Sequence, residues 1–290
     1  MYFLPMNTLL LGDHGSRRLG WNEVGSPSGI PVIHCHGGLS CRLESRFADR
    51  ICKRHGVRWI TADRPGIGAS DIQPGRKLMD WAEDMAALAD HLQLGRFAVS
   101  GWSAGGPYAL ACGAVLGRRV TRIATLAGMA PLRQGADIRA LGMATDRFLF
   151  RVSPRSPRLA ALGLSAARQA PSRLLRASIA RMLANGPDAP FLPATLVDQV
   201  TASFSESLRP GGLGTARDYG LLAADWGFSP DQITSPVSLW HGRDDTLLPF
   251  DHATRLQAML PSASLQALPG VGHFLLQRCL DDVLDELMTG

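Results

Sequence analysis

The sequence predicts an α/β fold in which a mostly parallel sheet is covered by helices on both faces. Three observations predict it. Short apolar runs alternate with helical patterns at both ends of the 290-residue chain, and such alternation implies crossover connections between parallel strands. The strands are buried on both faces, as in parallel sheets. Between the two alternating parts lies a long stretch with helical patterns only.

The first alternating part supplies most of the predicted sheet. Two strands, joined by a turn at residues 12–16, precede a break at Pro27-Ser28-Gly29. The predicted strands and helices are then, in chain order, strands at 8–11 and 19–24, strand 32–35, helix 43–54, strand 57–62, helix 79–92, a strand starting at 97, helix 107–116 and strand 120–126.

The pattern changes at Pro131, after which the chain is rich in Ala, Leu and Arg. Helices are predicted at residues 138–150, 159–169, 171–183, 194–207 and 213–224. Alternation resumes with strand 237–240, helix 252–260, strand 264–268 and helix 280–288. The sequence therefore predicts a core domain of residues 1–131 and 227–290, with a helical cap, or lid, inserted at residues 132–226.

The composition indicates a globular protein with a large core, since 46% of the residues are hydrophobic and 19% are charged. No apolar run reaches the length of a membrane span, and no leader is evident, so we expect no stable membrane association and a cytoplasmic location. The five cysteines are read as free thiols. The net charge of +5 is compatible with nucleic acid or an anionic substrate, but the arginines are scattered, so we expect no nucleic-acid partner.

The motif Gly101-Trp102-Ser103-Ala104-Gly105 lies between an apolar strand and a helix. A serine there is presented on a sharp strand-to-helix turn. A Cβ at either glycine would clash with neighbouring chain. The start of the helix stabilises negative charge at the same point. Ser103 is the predicted nucleophile, and the inserted cap would cover the sheet edge where it emerges.

A serine nucleophile needs a base and an orienting carboxylate. His273 follows the last strand on a short loop at the same sheet edge and is the predicted base, with His252 as the alternative. His34 and His36 are interpreted as structural hydrogen-bonding residues. The carboxylate follows the strand at 237–240, where spacing leaves Asp244 and Asp245 open.

The oxyanion of the reaction requires backbone N–H donors. Ala104, directly after the nucleophile, is expected to give one, and the turn at Gly38, with Leu39 next, the other. The Gly-rich turn at residues 63–70 does not fit a phosphate-binding loop, and we predict that it braces the sheet edge.

Five motifs in this order resemble the α/β-hydrolase fold, in the branch of serine hydrolases that carries a helical cap. They are His36-Gly37-Gly38, Asp63-Arg64-Pro65-Gly66-Ile67-Gly68-Ala69-Ser70, the Ser103 motif, Gly242-Arg243-Asp244-Asp245 with Pro249, and Gly272-His273. The resemblance implies an eight-stranded sheet and a triad of Ser103, Asp245 and His273. Ser at position 103 differs from haloalkane dehalogenases and epoxide hydrolases, which use a carboxylate. The loop Gly37-Gly38-Leu39-Ser40 differs from the Gly-Gly-Pro-Gly of proline iminopeptidases.

The expected function is carboxylesterase-like hydrolysis of a small-molecule acyl ester or lactone, without a metal or cofactor. Trp102 and the cap would line the acyl pocket. The same triad also serves hydrolysis of C–C or amide bonds and acyl transfer, and a ligand receptor with slow turnover is a further alternative. The sequence leaves the substrate and the oligomeric state open.

Overall fold

The computed structural model describes residues 7–12, 15–133, 135–260 and 262–289. Part of the predicted turn at residues 12–16 lies outside these ranges. None of the helices within them has the length and apolar character that crossing a bilayer requires.

An eight-stranded sheet forms the centre of the molecule, with strand order β1-β2-β4-β3-β5-β6-β7-β8. Strand β2 pairs antiparallel with β1 and β4, and every later pairing is parallel. This sheet confirms the predicted fold class. The strands are Asn7–Leu11 (β1), Arg17–Gly25 (β2), Ile30–Cys35 (β3), Val57–Ala62 (β4), Phe97–Trp102 (β5), Val120–Leu126 (β6), Val237–Gly242 (β7) and Ser264–Leu268 (β8).

Helices cover both faces of the sheet because successive strand residues point to opposite sides. The core helices are Asp49–Arg54 (α1), Asp80–His91 (α2), Gly106–Leu116 (α3), Asp251–Met259 (α10) and Leu276–Met288 (α11). Ile33 and Ile60 face one core, with the helices α2, α3 and α10, while their neighbours Val32 and Trp59 face the other, with α1 and α11. A 3₁₀ segment, Arg42–Ala48, precedes α1.

Within the described residues, six α-helices lie between β6 and β7 in the chain, where the sequence predicts the insertion. They are Ala136–Ala140 (α4), Ala144–Val152 (α5), Pro157–Arg168 (α6), Ser172–Ala184 (α7), Leu196–Ser207 (α8) and Leu213–Leu222 (α9). Helix α6 packs on α9, and α7 packs on α8. Helix α8 also contacts the 3₁₀ segment, so the inserted helices rest on the core beside the loop that follows β3.

The single helix predicted at residues 138–150 is wrong, because the chain turns at Gly142 between α4 and α5. The Gly142 N–H donates to the Leu247 carbonyl oxygen at 3.0 Å. A Cβ on Gly142 would lie 2.1 Å from the Thr246 carbonyl oxygen. The break therefore lets the insertion approach the loop that follows β7.

Strand β3 lies between β4 and β5, and the connections from β3 and β5 leave in opposite directions across the sheet. Such a switch point opens a crevice at the carboxyl ends of the strands, where α/β proteins bind their ligands. The loop at residues 36–39 follows β3, and Ser103 follows β5. Both therefore emerge at this crevice.

Candidate active site

Ser103 lies directly after β5, at the turn into α3, with a half-buried side chain. Its φ of +54° lies in the left-handed region, which is strained for a residue with a side chain. A Cβ on Gly101 would lie 2.3 Å from the Gly105 carbonyl oxygen, and one on Gly105 would lie 2.0 Å from the Cys35 carbonyl oxygen. The turn that presents Ser103 therefore requires both glycines, as the sequence predicts.

His273 and Asp245 are in hydrogen-bond contact, with 2.8 Å between Nδ1 and Oδ2. The other oxygen of Asp245 accepts two backbone N–H groups of the following turn, at 2.8 and 2.9 Å. Asp244 instead accepts the Gly270 N–H at 2.7 Å, at the surface. The structure thus places Asp245, and not Asp244, beside the imidazole.

The electrostatics of this pair favour its ionised form. Burial alone would raise the pKa of the Asp245 carboxyl, but the charges and hydrogen bonds of His273 and His241 hold it well below its usual range. Burial lowers the pKa of His273, but Asp245, Asp146 and Asp188 outweigh it and hold that pKa above its ordinary value. The imidazolium is therefore stabilised by three carboxylates.

Asp188, from the inserted segment, holds the loop that carries His273. Its buried carboxylate accepts the Gly272 N–H at 2.7 Å and the Phe274 N–H at 2.8 Å, one on each side of the histidine. The Trp102 indole N–H donates to the His273 carbonyl oxygen at 3.0 Å. Sequence analysis missed Asp188, because nothing near it in the chain signals a contact with a loop 84 residues further on.

Ser103 and His273 line the same cavity. Within the described residues, the Ser103 hydroxyl makes no hydrogen bond to the His273 ring. Such bonds are often long in unliganded enzymes and tighten when the substrate binds. The structure therefore brings Ser103, His273 and Asp245, the nucleophile, base and carboxylate predicted from the sequence, to one place. The hydrogen bond between Ser103 and His273 is not formed in it.

The loop after β3 lies beside the start of α3. A Cβ on Gly38 would lie 3.5 Å from the Ala104 Cβ and 2.8 Å from the Tyr219 Oη. Leu39 has a φ of +52°, so the backbone turns sharply here. The two backbone segments predicted to donate to an oxyanion are therefore neighbours.

Glu44 fixes this loop from below. Its carboxylate oxygens accept the Gly37 N–H at 3.0 and 3.2 Å, and one lies 2.9 Å from His34 Nε2. His34 Nδ1 in turn lies 2.8 Å from the Ser100 hydroxyl. His34 is therefore a structural hydrogen-bonding residue, as predicted.

Arg64 fixes the same loop from the other side. Its fully buried guanidinium donates to the carbonyl oxygens of His36 and Gly37, the latter at 3.0 Å, and to Asp218 on α9 at 2.8 Å. Arg76 pairs with the second oxygen of Asp218. Burial alone would raise the pKa of Asp218, but the two arginines lower it to about 2. The turn at residues 63–70 thus has the bracing role predicted for it.

A cavity of about 830 Å³ lies between the sheet edge and the inserted helices. Trp102 lines it, as predicted, and within the described residues its lining includes no Lys or Arg. Most of the lining is apolar. The apolar residues include Leu43, Phe47, Met129, Leu149, Phe150, Leu164, Ile179, Met182, Val200 and Phe204.

Among the polar residues of the inserted helices that line this cavity, Asp146 and Tyr219 form a hydrogen-bonded pair, and sequence analysis missed both. The Tyr219 hydroxyl donates to Asp146 Oδ1 at 2.6 Å, and the Tyr219 ring packs on Phe150 with 4.7 Å between centroids. Burial raises the pKa of the Asp146 carboxyl. No motif marks these residues, because their chemistry arises only where α5 and α9 meet.

His252, the alternative base, lies on α10 outside the cavity lining. Its buried Nδ1 accepts the Ala130 N–H at 3.0 Å, and burial lowers the pKa of its imidazole to about 4. It is a packing residue. Across the described ranges, no group of three or more His, Cys, Asp or Glu side chains is arranged to hold a metal ion.

Comparison with known proteins gives the same fold. The chain is 26% identical to a non-heme chloroperoxidase of Streptomyces lividans over 271 residues, covering 88% of this chain and 89% of the relative. It superposes on epoxide hydrolase A of Mycobacterium thermoresistibile with a TM-score of 0.72, 20% identity and 99% coverage of both chains. It superposes on an esterase of Exiguobacterium antarcticum with a TM-score of 0.67 and 20% identity, covering 94% of this chain and 95% of that one.

At such identities the solved structures establish the fold alone. A sequence model described as the Alpha/beta hydrolase family matches residues 32–286, which is most of the chain. The protein belongs to the alpha/beta hydrolase family.

Proposed function

We propose that this protein is a serine hydrolase that cleaves a carboxylic ester or lactone through an acyl-enzyme on Ser103. One observation carries the proposal: the strained turn that presents Ser103 opens on an apolar cavity that His273, bonded to Asp245, also lines. A buried carboxylate that orients an imidazole near a serine is the arrangement that activates the hydroxyl. The fold, which the chain shares with an esterase, is compatible with this reaction.

The reaction follows from these positions. His273 removes the proton of the Ser103 hydroxyl while the Ser103 oxygen attacks the ester carbonyl carbon. The backbone N–H groups of Ala104 and Gly38, with Leu39 next to it, stabilise the oxyanion. The imidazolium gives its proton to the leaving alcohol, and the acyl-enzyme remains. Water, deprotonated by His273, then attacks the acyl carbon, and the acid leaves as the Ser103 hydroxyl is restored.

The inserted helices act as a cap in this proposal. Their apolar side chains, together with Trp102, enclose the acyl chain of a small-molecule substrate and exclude water from the reaction. A serine at position 103 distinguishes the chain from epoxide hydrolases, which use a carboxylate there. The five buried free thiols fit a reducing compartment such as the cytoplasm.

The test is hydrolysis of short p-nitrophenyl esters by the purified protein, with Ser103→Ala as the main variant. We expect the substitution to lower kcat by at least about 10⁴-fold and to abolish labelling by a fluorophosphonate. Ser264→Ala, which removes an exposed hydroxyl on β8, should retain full activity and labelling. Undiminished ester hydrolysis by Ser103→Ala, or no hydrolysis of any ester by the wild type, would overturn the proposal.

A further inference from the structure

The cap contributes a hydrogen-bonded polar pair to a mostly apolar cavity lining, in which Thr145, Ser178, Gln199 and Ser203 are further polar residues of the cap. Asp146 comes from the first turn of α5, and Tyr219 from the middle of α9. Both line the cavity, and the Tyr219 hydroxyl donates to one oxygen of Asp146 at 2.6 Å. The mechanism proposed above uses neither side chain.

The pair lies close to the reacting centre. The Tyr219 Oη lies 2.8 Å from the position that a Cβ on Gly38 would occupy, so it adjoins the proposed oxyanion donor. The Asp146 carboxylate is near enough to His273 to raise the pKa of the imidazole. A substrate whose carbonyl is bound at Ser103 therefore lies in the same cavity as the pair.

The pair also has unused hydrogen-bonding capacity. Within the described residues, Asp146 forms no salt bridge, and the Tyr219 hydroxyl is its side-chain partner. A carboxyl group accepts at both oxygens, so Oδ2 is available to a ligand in the cavity. Burial raises the pKa of Asp146 and so disfavours its charged form. A neutral hydroxyl can donate a hydrogen bond to the buried Asp146 carboxyl, whereas a cationic donor would bring a second charge into the same desolvated place.

We propose that Asp146 and Tyr219 form a subsite that binds a hydroxyl group of the substrate close to the scissile carbonyl. The substrate hydroxyl donates to Asp146 Oδ2, and Tyr219 holds the carboxyl in place. The preferred substrates are then hydroxy esters or hydroxy-substituted lactones rather than plain alkyl esters. This inference rests on the proposed ester hydrolysis at Ser103.

Matched esters test the subsite. The substrates are ethyl hexanoate, its 2-hydroxy and 3-hydroxy derivatives, and ethyl 3-aminohexanoate, with kcat/KM measured by acid release in a pH-stat. We expect the kcat/KM of one hydroxy ester to exceed that of ethyl hexanoate about tenfold in the wild type. In the Asp146→Ala variant the ratio of these two kcat/KM values should fall to about one, while the variant still hydrolyses ethyl hexanoate. Asp198→Asn, a change at an exposed carboxylate of the cap, should keep the ratio.

Three results would overturn the subsite: no preference in the wild type, an undiminished preference in Asp146→Ala, or a larger gain for the amino ester than for either hydroxy ester. Binding of the same esters to Ser103→Ala, measured by calorimetry, separates the two proposals. If no ester is hydrolysed, the proposed reaction fails, and the ratio of binding constants still decides the subsite. If esters are hydrolysed, but the hydroxy esters and ethyl hexanoate have equal kcat/KM values and equal binding constants, the subsite alone fails.

Discussion

Three acidic side chains surround His273, and they reach it from different parts of the chain. Asp245 follows β7, Asp146 lies on α5, and Asp188 lies between α7 and α8. All three raise the pKa of the imidazole, so more of it is protonated near neutral pH than for an ordinary histidine. A general base must be neutral to accept the serine proton. The inserted segment therefore affects the pH at which the proposed base is active.

This arrangement predicts the pH dependence of the reaction. In the wild type, kcat/KM for a neutral ester should rise with pH through the raised pKa of His273, so the acid limb lies above the ordinary histidine value of about 6.5. Asp188→Asn removes one negative charge, which lowers the pKa of His273, so the limb should move to lower pH. The same variant should lower kcat, because Gly272 and Phe274 donate to different oxygens of Asp188, and an amide keeps only one of these two acceptors.

The control is Asp198→Asn, whose side chain is 64% exposed and pairs with Arg176 away from the cavity. Its acid limb should match that of the wild type. A purely structural role for Asp188 predicts weaker activity with an unshifted limb, and that result would contradict our interpretation.

At the scale of elements, the loop after β3 is held between two braces. Glu44, which lies on the 3₁₀ segment, accepts the Gly37 N–H of this loop. Arg64 donates to the carbonyl oxygens of His36 and Gly37. Arg64 is itself paired with Asp218 on α9, so an inserted helix and the proposed oxyanion loop share one buried ion network. A shift of α9 would therefore reach the loop through Arg64.

Removing Asp218 should destabilise the protein strongly. Asp218→Ala leaves two buried guanidinium groups, those of Arg64 and Arg76, without their counterion, and breaking a buried pair typically costs about 3–5 kcal/mol. Urea denaturation should show this loss in the free energy of unfolding. Asp198→Ala breaks an exposed pair and should cost less than about 1 kcal/mol.

The pH dependence of stability follows from the same residue. The pKa of Asp218 is about 2 in the folded protein, below its ordinary value of 3.8. The stabilisation is therefore fully present above about pH 4 and is lost as the pH falls towards 2. The difference in unfolding free energy between the wild type and Asp218→Ala should shrink over that interval. A constant difference would mean that the carboxylate charge does not contribute.

At the scale of the whole molecule, charge and cavity are separated. The chain carries 30 Lys and Arg residues and a net charge of +5, yet within the described residues the cavity lining contains two carboxylates, Glu44 and Asp146, and no Lys or Arg. The basic surface attracts anions in general. The described cavity lining offers them no lysine or arginine as a counterion, so we expect it to favour neutral substrates.

Esters with an anionic chain should therefore be poor substrates. The monoethyl ester of adipic acid should have a kcat/KM about a hundredfold or more below that of ethyl hexanoate, since a carboxylate would enter an apolar cavity without a partner. Ethyl adipamate, which is neutral and of the same length, isolates the effect of charge from that of polarity. Equal rates for the acid and the amide would show that the cavity tolerates the anion.

The sequence predicts those features that local chemistry determines. Gly101 meets Gly105 within the turn that presents Ser103, whereas Gly105 is recognisable from the spacing of the motif although a Cβ there would meet Cys35. His273 is recognisable because it follows the last strand. Asp146 and Asp188 are not recognisable, because each acts on residues that are distant in the chain and become its neighbours only after folding. The helix break at Gly142 is missed for the same reason, since its cause is the backbone at Thr246.

The two hydrogen bonds that Asp188 accepts have a consequence for chimeric proteins. These two hydrogen bonds to the imidazole loop come from the segment between β6 and β7, whereas the Trp102 hydrogen bond to the same loop comes from β5. A lid transplanted from another hydrolase would leave Gly272 and Phe274 without an acceptor unless the donor lid carried an equivalent carboxylate. Substrate scope and turnover are therefore inherited together when this segment is exchanged.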